Sequence, residues 1–106
     1  MTDLAAMVKL IALYKAPPDP EEFDRHFHTI HAPLVRNYPG LLKLEMTAIT
    51  GASLGDTPYH LMAEMYFAST EALQTALASP AGKAVAKDLM NFAAPLVTVL
   101  VGEVRE

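Results

Sequence analysis

The spacing of apolar and polar positions divides the chain into six segments. MVKLIALYK (7–15) is short, apolar and ended by APPDP, which predicts a buried strand. Pro17, Pro18 and Pro20 stop it, because a proline cannot donate to a sheet ladder. Asp19 then predicts a helix N-cap, with Pro20 in the first turn and Glu22 completing a capping box. Phe23, Phe27, Ile30 and Leu34 follow as one helical stripe, and Pro33 inside that pattern predicts a kink or a loosened turn near Thr29 to Ala32. NYPG ends the helix and turns the chain.

In LLKLEMTAIT (41–50), Leu42, Leu44, Met46 and Ala48 alternate with Lys43, Glu45 and Thr47, a strand with one wetter face. YHLMAEMYFA (59–68) predicts a third strand. Its His60, Met62, Glu64 and Tyr66 share one face, and Leu61, Ala63, Met65 and Phe67 the other. Ser69 or Thr70 caps a second helix carrying Leu73, Ala76 and Leu77. Ser79 and Pro80 restart it, with Val85, Leu89 and Phe92 as the next buried stripe. PLVTVLVGEV (95–104) is β-branched and apolar on both faces.

The order β-α-β-β-α-β is the α+β, ferredoxin-like arrangement, an antiparallel four-stranded sheet with helices on one face. A lone domain of this kind keeps the other sheet face polar. The doubly apolar last strand predicts instead that a second copy covers it, so that two sheets close into a dimeric α+β barrel, a homodimer. Residues 7–106 form the single domain in this reading, and residues 1–6 a loose leader.

Composition narrows the function. The 106 residues are 52% hydrophobic, enough for a full core without staples. Cysteine is absent, which removes disulfides and thiolate metal sites and fits a cytoplasmic protein. A net charge of −4, with eight scattered Lys and Arg, argues against nucleic acid as a partner. No apolar run approaches the ~20 residues of a membrane span, so no membrane partner is expected. The sequence holds no dinucleotide fingerprint, phosphate loop or nucleophile elbow.

LYKAPPDPEEFDRHFHTIHAPLVRNYPGL resembles the EthD family of the dimeric α+β barrel group. The resemblance rests on Tyr14–Lys15 at a strand end, Glu22–Phe23 opening the helix, His31-Ala32-Pro33-Leu34 closing it, and Pro39-Gly40-Leu41 before strand two. The later SPAGKAVAKDLMNFA, with Asp88 and Phe92, is similar to the family's second half. The family takes its name from a gene cluster for ethyl tert-butyl ether degradation. The resemblance implies the fold and the dimer. It also implies chemistry of a cofactor-free decarboxylase or dehydratase type on aromatic molecules, with small monooxygenases among more distant relatives. The absence of tryptophan departs from the active site of the haem-degrading and quinol-type members of the wider group.

Three of the four histidines fall between positions 26 and 31. At 100° per residue His31 lies on one rim of the apolar stripe, near Phe27, Leu34 and Tyr38, and His26 on the other. A rim histidine reaches the gap between helix and sheet, and its ordinary pKa of about 6.5 suits proton transfer. His31 is therefore the candidate acid or base, with Tyr14 and Tyr66 as polarising donors from the strands. His26, Lys15, Phe27 and His60 are candidate substrate contacts, Lys15 for an anionic group. The competing reading of His31 is a hydrogen bond to a carbonyl freed by Pro33, and His28 reads as a surface residue paired with Asp24. Asp24, His28 and His31 offer two imidazoles and a carboxylate on one stripe, but one straight helix rarely wraps an ion, so no metal is expected. Glu64 is read as covered or paired with Lys9 or Lys43.

The expected function is cofactor-free proton transfer on a small apolar or aromatic molecule. The alternatives are a non-catalytic accessory protein of a catabolic oxygenase system and a small cofactor-free monooxygenase.

Overall fold

A computed structural model describes residues 7–105. The leader expected at 1–6 lies outside the described residues. The chain runs β1 (Val8–Lys15), α1 (Pro20–His26), a π-helical turn (Phe27–His31), α2 (Ala32–Val35), β2 (Lys43–Ala48), β3 (Tyr59–Phe67), α3 (Thr70–Ala78), α4 (Pro80–Ala93) and β4 (Val97–Glu103). The sheet order is β2-β3-β1-β4, with every neighbouring pair antiparallel, which is the ferredoxin-like topology expected.

Local chemistry sets the helix starts. Asp19 accepts the amide of Glu22 at 3.2 Å, Ser69 that of Ala72 at 3.1 Å, and Ser79 that of Gly82 at 3.0 Å. Prolines follow two of these caps, at positions where a missing N–H costs nothing. Gly82 sits where α4 leaves α3. A Cβ there would come within 2.2 Å of the Ala76 carbonyl oxygen and 2.6 Å of that of Leu77.

Strand register divides the sheet into two faces. Val8, Leu10, Ala12 and Tyr14 alternate inward and meet Phe67, Met65, Ala63 and Leu61 directly across the ladder. These residues form the core with Phe23, Phe27, Leu73 and Val85 from the helices. The opposite face holds Lys9, Ile11 and Leu13 with Tyr66, Glu64 and Met62. There Lys9 donates to Glu64 at 2.6 Å, one of the two pairings anticipated for that carboxylate. On β4, Val99, Leu100 and Val101 are 43%, 45% and 62% exposed, so apolar side chains do emerge on both sides of this edge strand. Among the described residues no helix is long and apolar enough to cross a membrane.

The first helix departs from the expected stripe. Phe23 and Phe27 are buried, but Ile30 is 45% exposed, and His31, Ala32 and Val35 turn inward instead. The π-helical turn is the cause. The amide of Ala32 bonds the carbonyl of Phe27, five residues back, so the turn absorbs one extra residue. Every position after it moves one place along the stripe: His31 takes the place expected of Ile30, and Val35 that of Leu34. Pro33 supplies the physical reason, since its ring would collide with the Thr29 carbonyl in an unbroken α-helix. The Thr29 hydroxyl donates to the Arg25 carbonyl at 2.6 Å, satisfying backbone where the helix loosens.

Candidate functional site

The widened turn changes which side chains meet. Five residues along an ideal α-helix separate two side chains by about 140°, which would put His26 and His31 on opposite rims. The π-helical turn brings both onto one carboxylate, Asp88 of α4. His31 Nδ1 lies 2.8 Å from Asp88 Oδ2, and His26 Nε2 lies 3.0 and 3.1 Å from Oδ1 and Oδ2. A carboxylate only accepts hydrogen bonds, so the facing ring nitrogens carry the protons. In its neutral form His31 therefore keeps its lone pair on Nε2.

Aromatic rings fix this arrangement. Phe92, one turn beyond Asp88 on α4, stacks on His26 at 4.4 Å between ring centroids and lies 4.9 Å from His31. Tyr14 meets Phe23 and Phe27 edge-on at 5.4 and 5.5 Å. His31 is 3% exposed, and burial holds its pKa below the ordinary 6.5; the bond to Asp88 opposes that shift without reversing it. The ring is thus a buried neutral base at neutral pH.

His31 borders a cavity of ≈ 460 Å³ between the helices and the inner sheet face. Its walls are almost wholly apolar, with Leu10, Val35, Met65 and Leu89 among them. The polar side chains in the wall are His31, Tyr14 and Tyr38. Leu77, Val99 and Val101 line the cavity and are also exposed, which places its opening along the β4 edge. Among the described residues His31 Nε2 has no hydrogen-bond partner, and no buried side-chain nitrogen or oxygen lacks one. Nε2 is therefore open to the cavity. Burial raises the pKa of both tyrosines, and the nearby charges of Tyr38 and Asp88 raise that of Tyr14 further, so both keep their protons as donors.

The sequence-derived candidates separate on this map. His31, Tyr14 and Phe27 line the cavity; His26, expected as a substrate contact, does not, and instead shares the Asp88 carboxylate with His31. Tyr66 does not meet them. It stands on the opposite sheet face with Lys9 and Lys43 beside its ring and its hydroxyl 3.4 Å from Glu45, because β3 register pairs it with Lys9 rather than with an inward residue. Lys15 is exposed at the end of β1 and does not line the cavity. His60 is engaged elsewhere, 2.8 Å from Asp24 and edge-on to Phe23. Asp24 thus pairs with His60, not with His28 as the helix spacing suggested. The set Asp24, His28 and His31 does not converge, and among the described residues no group of three or more His, Cys, Asp or Glu is arranged to hold a metal ion.

Asp88 and Tyr38 are the members that sequence reasoning missed as site residues. Asp88 lies 57 residues from His31 along the chain, and only the packing of α4 on the first helix unites them. An acidic side chain four residues before Phe92, inside an otherwise apolar helix stripe, was the available signal.

Comparison with known proteins agrees with this architecture. The EthD domain model matches residues 15–96. An uncharacterized 11.0 kDa protein from the thcB-thcC intergenic region of Rhodococcus erythropolis is 32% identical over 94 residues, covering 89% of this chain and 91% of the relative. The crystal structure of an EthD family protein from Bacillus halodurans is 46% identical, with a TM-score of 0.90 over 93% of this chain and 99% of that one. Two more distant structures share the fold. A hydroxynitrile lyase from Passiflora edulis is 15% identical at a TM-score of 0.78, covering 96% of both chains. A dimeric protein of ferredoxin-like fold from Bacteroides fragilis is 17% identical at 0.64, covering 96% of this chain and all of that one. Since the family model spans most of the sequence and the two relatives above 30% identity run nearly its full length, the chain belongs to the EthD family.

Proposed function

We propose that the protein binds a small apolar or aromatic molecule in the cavity and moves a proton on it without a cofactor. One observation carries this reading: a buried neutral imidazole, oriented by a carboxylate, presents a free nitrogen to an otherwise apolar hollow. Asp88 fixes the His31 tautomer and stabilises the imidazolium that forms when Nε2 accepts a proton. Tyr14, protonated at any ordinary pH, polarises an oxygen of the bound molecule. Apolar walls exclude water and strengthen both interactions.

A direct test is exchange of the α-protons of 2-tetralone in heavy water, followed by proton NMR. The expected result is exchange above the buffer rate, lost in His31→Gln and slowed in Tyr14→Phe. Binding without exchange would replace this reading with that of a non-catalytic carrier. Exchange undiminished in His31→Gln would remove His31 from its role.

The same reading includes a homodimer. Leu100 emerges beside Ile11 on the sheet face away from the helices, with Leu13 and Met62 near it. A second copy of this face is the natural cover. Leu100→Asp is expected to convert the dimer to a monomer in sedimentation velocity; a wild-type protein that sediments as a monomer would refute this part.

A further inference from the structure

Among the described residues the cavity wall contains no Lys, Arg, Asp or Glu. Its polarity is concentrated in three side chains, His31, Tyr14 and Tyr38, and the last has no part in the function proposed above. Tyr38 is only 6% exposed and is held edge-on to Phe67 at 5.9 Å between ring centroids. Among the described residues neither tyrosine hydroxyl has a side-chain hydrogen bond, yet no buried side-chain oxygen is left without a partner. Both hydroxyls are therefore accessible in the cavity and have a donor to spend. A buried wall of hydrocarbon with two unspent O–H groups and one basic nitrogen suits a particular ligand chemistry.

We infer that Tyr38 and Tyr14 together form a two-donor site for a developing oxyanion, and that the cavity takes neutral hydroxyaromatic or enolisable ketone ligands while rejecting carboxylates. The inference rests on the proposed role of His31 and deepens it. In the step it serves, the O–H bond of a phenol, or the α-C–H bond of a ketone, breaks. The proton goes to His31 Nε2, the electron pair remains on the phenolate or enolate oxygen, and the two tyrosine hydroxyls donate to that oxygen. A neutral ligand and a neutral imidazole become an ion pair, so the net charge of the closed site does not change. A carboxylate has already lost its proton at neutral pH. It would enter as an uncompensated anion among apolar walls, which is costly, unless the site drew a proton from water as well.

Three probes of one shape separate these cases: naphthalene, 2-naphthol and 2-naphthoate, titrated calorimetrically at neutral pH. The expected order is 2-naphthol tightest, naphthalene weaker, and 2-naphthoate at least about tenfold weaker than the naphthol. Ring-substituted naphthols should bind more tightly as their acidity rises. Tyr38→Phe keeps the ring that packs on Phe67, so it should fold. It is expected to lose about tenfold or more in naphthol affinity and to leave naphthalene affinity within about twofold. Naphthoate binding as tightly as the naphthol, or a naphthol affinity unchanged in Tyr38→Phe, would overturn the inference while leaving the cavity reading intact. Failure of all three probes, naphthalene included, would overturn the cavity reading and this inference with it.

Discussion

Replacing Asp88 by alanine removes the one acceptor shared by two imidazoles. His31 is 3% exposed, and among the described residues its Nδ1–H has no partner other than Asp88. Leaving such a buried donor unsatisfied costs about 1–3 kcal/mol. His26 loses its acceptor too, but its side chain is 21% exposed, so water replaces much of that bond and the added cost is well under about 1 kcal/mol. The sum is about 1–4 kcal/mol. Asp88→Asn provides the internal control, because its amide oxygen still accepts from one ring; about half the loss should return. Urea unfolding followed by circular dichroism, at one protein concentration and neutral pH, measures both. The ring state gives a second readout. Nitrogen-15 NMR should report a single tautomer for His31, protonated at Nδ1, in the wild type and a mixture in Asp88→Ala. An Ala variant within about 0.5 kcal/mol of wild type, the range of ordinary surface substitutions, would refute the assignment of Asp88 as the anchor of both histidines.

Burial lowers the pKa of His31 in the folded protein, so the unfolded chain takes up a proton that the folded one refuses. Its contribution to stability is complete above the ordinary 6.5 and is lost as pH falls from there through the lowered folded value; urea unfolding at stepped pH should show that slope, and His31→Gln should flatten it. Gly82→Ala drives a methyl group into two backbone carbonyls, at a cost of about 3 kcal/mol, and the melting midpoint should fall by about 12 °C or more.

Much of the architecture was legible because it depends on short-range chemistry. Asp19, Ser69 and Ser79 cap their helices through amides three residues away, and strand alternation separates Leu61, Ala63 and Met65 from Met62, Glu64 and Tyr66 within a single segment. The site was legible only in part. His31, Tyr14 and Phe27 were within reach because each lies on an apolar stripe of its own element. Asp88 was not, because α4 meets the first helix through tertiary packing that no local pattern encodes. Tyr66 was misplaced for a related reason: its side of β3 follows from register against β1, and a strand considered alone has two faces with no label saying which one the helices cover. The pairing of Asp24 with His60 across 36 residues likewise competes with the local choice of His28 and wins. Pro33 correctly marked where the helix loosens, but a proline does not announce that the loosening inserts a whole residue.

That inserted residue ties two properties of the protein together. Closing the same residues as an unbroken α-helix, with Pro33 replaced, would give a more regular set of backbone bonds. It would also rotate His26 and His31 apart, so that a single carboxylate could no longer serve both, or else turn Val35 and Tyr38 out of the interior. Lineages that straighten this segment at constant length therefore cannot keep the imidazole pair and the wall of the hollow at once, and the energetic inefficiency of the wide turn is locked in by the geometry it makes possible.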